Sequence, residues 1–298
     1  MLQWARAALD PIRRPPGRSF FMSIDLLREF ASYPALLGRL IKYKPVIHPV
    51  QMSYGLHKDQ YCLHFVPLEQ PREKVVVYLH GGGWNSGTPA LFSFIGQRFA
   101  LSGYHCVMIG YRKAPAHRFP VQIEDVCTGY QKTLEYLEWR GIGARQIVVV
   151  GSSAGAHLGA LLCYDRPLQQ HFHIDSVRIC GFAGLGGPYC FDCKPTFPLQ
   201  RLTKQLFPPQ YDRSQGEPYH KLTRGQHIPM LIIHGRHDGA VSCENALEFF
   251  ARARRLDIPA QFYLIPTKRD NHSSYTAGIF LEDEVPTLKA LLDWIEQQ

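Results

Sequence analysis

Residues Gly151-Ser152-Ser153-Ala154-Gly155 form a Gly-x-Ser-x-Gly pentapeptide between the apolar run Ile147-Val148-Val149-Val150 and a helix-like stretch at 156–162. Glycines without a Cβ let a strand and a helix approach closely, so a serine between them can occupy a tight turn that exposes its hydroxyl. Ser153 is therefore a candidate nucleophile for acyl transfer. A serine hydroxyl is weakly nucleophilic at neutral pH and needs a base within hydrogen-bond reach, with an acid to orient that base. For an elbow of this kind the expected chain order is serine, acid, histidine. The apolar run 230–233 leads into His234-Gly235-Arg236-His237-Asp238-Gly239, which offers Asp238 as the acid. The run 261–265 leads into a loop ending at His272, the only histidine after Asp238.

Asp270 and Glu244 compete with Asp238, but Asp270 stands too close to His272 in the chain to orient it from behind. Fourteen histidines offer rival bases. His234 and His237 precede the acid, His157 falls a helical turn beyond the serine, and His171 and His173 adjoin a charged loop. Packing or surface roles suit these five better.

The tetrahedral intermediate of acyl transfer carries an oxyanion, and each backbone N–H aimed at it is worth about 10²–10³ in rate. His80-Gly81-Gly82-Gly83-Trp84 follows the apolar run 75–79 and lets the backbone approach substrate closely. The expected donors are Gly82, Gly83 and, after the nucleophile, Ala154. Trp84 is expected to touch substrate and His80 to hold the loop. A phosphate cradle would require Gly-Lys-Ser/Thr, which Trp84-Asn85-Ser86 does not supply.

These residues need a frame. Short apolar or alternating runs at 61–66, 75–79, 105–109, 147–150, 177–180, 230–233 and 261–265 predict strands. Helix-length segments at 90–101, 122–139, 154–164, 243–256 and 285–296 lie between or after them. Alternating strands and helices predict an α/β fold with a mostly parallel central sheet flanked by helices and an antiparallel start. Each motif falls at a strand's carboxyl end, where such sheets gather their sites. Residues 184–226, rich in Gly, Pro and aromatics, read as a cap-like insertion.

A hydrophobic content of 45% against 19% charged excludes a disordered chain. The basic excess concentrates in residues 1–48, read as an amphipathic helical arm or cap preceding a catalytic domain at 49–298. Residues 1–44 hold eight basic side chains against Asp10, Asp25 and Glu29. Such an arm either packs as a cap or meets an anionic membrane surface or acidic partner, and the cap is the plainer reading. No nucleic-acid motif accompanies the charge. Arg6, Asp10, Arg13 and Arg14 interrupt any signal-peptide pattern, and no run of 18 apolar residues occurs. Eight cysteines are too sparse for a disulfide scaffold, and the single pair Cys190-x-x-Cys193 lacks a second pair at zinc spacing. The expectation is a cytoplasmic, reducing compartment, with no metal and no cofactor.

Together, His80-Gly81-Gly82-Gly83-Trp84, Tyr111-Arg112-x-Ala114-Pro115, Phe119-Pro120 through Glu124-Asp125-Val126, and Gly151 through Leu158 resemble the α/β-hydrolases of the hormone-sensitive-lipase and BD-FAE-like esterase group. The resemblance runs from about residue 75 to 272. It implies the α/β-hydrolase fold, a Ser153–His272–Asp238 triad, oxyanion donors Gly82, Gly83 and Ala154, and Asp125 bracing the site's loops. The implied activity is hydrolysis of a small-molecule carboxylic ester through an acyl-enzyme, on short-acyl or aromatic esters. Two departures stand out: Pro115-Ala116-His117 lacks the group's acidic residue, and Asp270-Asn271-His272-Ser273-Ser274-Tyr275 is polar where Gly-His-x-Phe is common. Arylformamidases carry a similar loop and elbow, so amide cleavage is one alternative. A non-catalytic binding module is another, although such proteins usually lose a triad member and all three are present here.

Overall fold

Val75–Leu79, His105–Ile109 and Ile147–Ser152 are buried along their whole lengths, as expected of strands covered on both faces by helices. The computed structural model describes residues 24–267, 271–282 and 285–298, apart from the side chains of residues 30, 32 and 33. Residues 1–23 of the expected arm and the rival acid Asp270 lie outside the described residues. The elements run in the order α1 (Ile24–Lys42), β1 (Val50–Ser53), β2 (Tyr61–Phe65), β3 (Val75–Leu79), α2 (Ser93–Leu101), β4 (His105–Ile109), α3 (Val121–Trp139), β5 (Ile147–Ser152), α4 (Ala154–Tyr164) and α5 (Arg166–His171). There follow β6 (Ile179–Leu185), α6 (Phe197–Leu206), α7 (Pro218–Lys221), β7 (Met230–Gly235), α8 (Cys243–Arg255), β8 (Ala260–Ile265), α9 (His272–Thr276) and α10 (Pro286–Gln297).

The eight strands form one sheet in the order β1-β2-β4-β3-β5-β6-β7-β8. The β1–β2 and β2–β4 pairs are antiparallel and the rest parallel. Alternate side chains divide the core between the two faces. Val75, Val77, Leu79 and Val149 pack with α3 and α4, including Val126, Tyr130 and Leu158. Val76, Tyr78, Val148 and Val150 pack with Phe99 of α2 and Leu291 and Trp294 of α10. The two-residue period of a strand, apolar on both sides, therefore supplies both layers.

Several expectations are corrected. The strand expected at 177–180 begins instead at Ile179, because Ser176–Arg178 form a single 3-10 turn. The strand then continues through Gly181 and Gly184, residues that weaken strand propensity. Here they are required: a Cβ on Gly181 would lie 2.9 Å from the Trp294 ring and one on Gly184 2.9 Å from Phe182. The irregular insertion proves partly helical, containing α6 and α7. Strand β1 went unforeseen. Cys190 and Cys193 are joined in a disulfide, their Cα atoms 5.4 Å apart, while the other six cysteines are free. No helix of the described residues is long and apolar enough to cross a membrane.

The segment joining β4 to α3 is braced by Asp125, which is 2% exposed. Its carboxylate accepts from the Arg112 N–H at 2.8 Å, from Arg112 Nε and Nη2 at 2.9 and 2.7 Å, and from Gln60 Nε2 at 2.8 Å. The brace reaches the glycine loop through Ala114, whose N–H donates to Trp84 O at 3.0 Å. Asp125→Ala strands the guanidinium and amide that it satisfies. The expected cost is about 3 kcal/mol of folding stability, measured as a lowered urea midpoint at unchanged slope.

Candidate active site

Ser153 sits between β5 and α4 with φ 53° and ψ −120°, a backbone region that L-residues rarely adopt. Strain of this kind persists only where the surroundings over-determine it, and the flanking glycines show how. A Cβ on Gly155 would lie 2.6 Å from His80 O, and one on Gly151 2.6 Å from Ala156 N. The start of α4 thus packs directly on the end of β3, and the Ser153 N–H is held by Leu185 O at 2.7 Å.

The turn after β7 delivers Asp238 and the start of α9 delivers His272. With the tautomer that satisfies both contacts, Ser153 Oγ donates to His272 Nε2 at 2.8 Å and His272 Nδ1 donates to Asp238 Oδ2 at 2.7 Å. Asp238 is fully enclosed. Its Oδ1 accepts from the N–H groups of Ala240 and Val241, each at 2.8 Å, and its Oδ2 also accepts from Tyr275 Oη. Burial pushes this carboxyl up, yet the His272 charge and hydrogen bond, aided by His234 and Tyr275, outweigh burial and hold it below the usual range. For His272 burial acts downward, and the Asp238 carboxylate with Glu29 overcomes it, so the imidazole binds its proton more tightly than an ordinary histidine.

A base must be neutral to accept a proton from serine. As pH falls through the raised His272 value, protonation removes the base. The acid limb of kcat/KM is therefore expected above the ordinary imidazole value of about 6.5, as read from a pH–rate profile.

The loop after β3 runs beside the serine: a Cβ on Gly81 would lie 3.2 Å from Ser153 Cβ. Gly82 and Gly83 have φ of 114° and 58°, which glycine adopts without penalty. The Gly82 carbonyl is engaged by the N–H of Asn85 and Ser86 and by Ser86 Oγ. None of the described residues accepts from the N–H of Gly82 or Gly83. Ala154 opens α4, where a helical N–H has no partner within its own helix. His80 lies stacked on Tyr111 with ring centroids 4.4 Å apart, and its Nδ1 donates to Gly81 O at 2.7 Å. Burial lowers its pKa to about 3, so the ring is neutral and structural.

Trp84 departs from expectation. Its side chain is 1% exposed, it packs on Phe191, and Nε1 donates to His157 Nδ1 at 3.2 Å. His157 in turn donates from Nε2 to Gly216 O at 2.7 Å. The indole is a strut between the glycine loop, α4 and the insertion, and in this conformation leaves no surface for substrate. Leu202 of α6 is what covers the loop, 2.8 Å from where a Cβ on Gly83 would sit. Ser152 is equally committed elsewhere. It accepts from Tyr78 Oη at 2.9 Å and donates to Thr276 O at 2.7 Å. Of the other rivals, Glu244 pairs with Lys194, and His234 is buried with Nε2 donating to Val241 O.

Sequence reasoning missed Tyr275, His234 and Glu29 around the acid and base. Tyr275, three residues past the histidine, was legible only as a departure from the usual aromatic pattern. Glu29 carried no signal beyond being one of few acids in a basic segment. Among the described residues, no three His, Cys, Asp or Glu side chains gather to hold a metal ion.

A family profile described as the alpha/beta hydrolase fold matches residues 76–176. Esterase LipC of Mycobacterium tuberculosis is 26% identical over 275 residues, covering 83% of this chain and 68% of its own. Human arylacetamide deacetylase-like 3 is 33% identical over 137 residues, 43% of this chain, and the chain spans only about a third of that relative's length, 32%. The crystal structure of esterase B from Lactobacillus rhamnosis superimposes with a TM-score of 0.73 at 17% identity, covering 92% of each chain. The chain has the α/β-hydrolase fold and is similar to esterases, among them a hormone-sensitive lipase from a metagenome library.

Proposed function

We propose that this protein is a serine carboxylic-ester hydrolase working through an acyl-enzyme on small-molecule esters. The observation that carries the proposal is the relay of 2.8 and 2.7 Å contacts from Ser153 through His272 to Asp238. Ser153 Oγ attacks the ester carbonyl while His272 Nε2 takes its proton. The N–H groups of Gly82, Gly83 and Ala154 receive the oxyanion, and the buried Asp238 carboxylate stabilises the imidazolium. His272 then returns the proton to the departing alcohol. In the second half it draws a proton from water, which attacks the acyl carbonyl, and hands that proton to Ser153 Oγ as the carboxylic acid departs.

Leu202 over the glycine loop limits the space beside the oxyanion and favours short acyl groups. An ethyl acetate hydrolase of Pseudomonas putida, 34% identical over 105 residues, is among the relatives. A second reading, cleavage of an aryl amide or formamide by the same residues, is favoured by the arylacetamide deacetylases among the relatives.

Turnover of p-nitrophenyl acetate, butyrate and octanoate, set beside N-formyl-kynurenine, separates the readings. The ester proposal expects the highest kcat/KM on the two short esters. Preference for the formamide would favour the second reading, and absence of turnover together with no labelling by a fluorophosphonate probe would reject both.

A further inference from the structure

Helix α1 brings one buried charge into the molecule. Its inward side includes Leu26, 8% exposed, and Glu29, 2% exposed. The Glu29 carboxylate grips the start of α9. Oε2 accepts from the His272 N–H at 2.8 Å, while Oε1 accepts from the Ser273 N–H at 2.9 Å and from Ser273 Oγ at 3.1 Å. These are the first two backbone N–H groups of α9, groups that a helix leaves unsatisfied by itself. Because α9 begins at His272, a clamp on that N–H sets the direction of the imidazole.

The same helix also touches the other arm of the relay. A Cβ on Gly239, the residue after the acid, would lie 2.6 Å from the Asp25 carbonyl and the Leu26 nitrogen. Asn271 Nδ2 donates to Arg28 O at 3.4 Å. One helix therefore spans the turn that presents the acid and the loop that presents the base, two segments that meet only in the folded protein.

We propose that Glu29 is a positioning residue for His272, so that α1 is a working part of the active site and not solely a cover for it. This rests on reading Ser153, His272 and Asp238 as a functioning triad. Among the described residues, the groups facing the imidazole are Asp238 and His234 from β7 and its turn, Glu29 from α1, Ser153 from the elbow and Tyr275 from its own helix. Of these, Asp238 and Glu29 supply the negative charge that favours the protonated ring. Removing the Glu29 charge thus has two effects, a loosened base and an imidazole that gives up its proton more readily.

The test is kcat and KM for p-nitrophenyl acetate in the full-length protein, E29A and E29Q, from about pH 5 to pH 9, with thermal melts alongside. A base displaced by about 1 Å loses roughly 10²-fold in rate. The expected result for E29A is a kcat loss of roughly 10- to 100-fold with KM within about twofold. E29Q, which keeps one acceptor oxygen, is expected to lose less, and both variants to move the acid limb to lower pH. Should E29A fail to fold, E29Q decides. A kcat within about twofold of wild type, or a loss with an unmoved acid limb, overturns the inference and leaves Glu29 a structural cap. Wild-type protein without turnover or fluorophosphonate labelling overturns the triad reading itself. Active wild type with indifferent variants overturns only the role of Glu29.

Discussion

Ser153→Ala is expected to lower kcat by at least about 10⁴-fold and to abolish labelling by a fluorophosphonate probe, with no loss of stability. The alanine keeps the Cβ and the strained backbone, and the only side-chain bond it removes is the one to His272 Nε2. Residual turnover of ester should remain above the uncatalysed rate, because backbone donors at the glycine loop act without the nucleophile. The informative control is Ser152→Ala. That hydroxyl links Tyr78 Oη to Thr276 O in the buried layer beneath the site. Its loss should cost about 1–2 kcal/mol of stability while labelling at Ser153 persists. Labelling that survives Ser153→Ala but not Ser152→Ala would reassign the nucleophile. Mass spectrometry of the labelled peptide together with a melting curve reads both outcomes.

The second large effect is expected from Asp238→Asn. Two backbone N–H groups, from Ala240 and Val241, point at Oδ1. They will hold the amide oxygen there and turn its NH₂ toward His272 Nδ1. That nitrogen must then accept, so the proton moves to Nε2, where it faces Ser153 and cannot receive a proton from it. The expected loss is about 10⁴-fold in kcat near neutral pH, with KM little changed and the fold intact. A second consequence follows from charge. The Asp238 carboxylate is what outweighs burial at His272, so in the variant the imidazole loses its proton at lower pH and the acid limb of the residual activity shifts downward. A variant within about tenfold of wild type would show that another carboxylate orients the base. Among the described residues the nearest alternative by placement is Glu29, which holds the backbone of the same histidine.

Much of this site was legible before folding because it depends on local stereochemistry. A Cβ on Gly151 would run into the backbone of Gly155 and Ala156 just after it, and Gly82 and Gly83 carry positive φ. Both constraints act within a few residues, so they leave a mark in the chain. The strands are legible for a related reason, since burial on both faces demands unbroken apolar runs such as Val75–Leu79. Strand β6 is harder to read because its glycines answer to Trp294 of α10 and Tyr189 beyond the strand, not to the strand itself.

What the chain alone determined was the turn at Ser153, the glycine loop beside it and the order of Ser153, Asp238 and His272, all consequences of backbone geometry or of where strands end. Tertiary structure alone decided that Trp84 would be a buried strut, that Ser152 would be tied to Tyr78 and Thr276, and that Glu29 of α1 would grip the loop of His272, 243 residues away. These depend on which surfaces the fold presses together. A hydrogen bond across that span has no period and no spacing, so no local pattern can announce it.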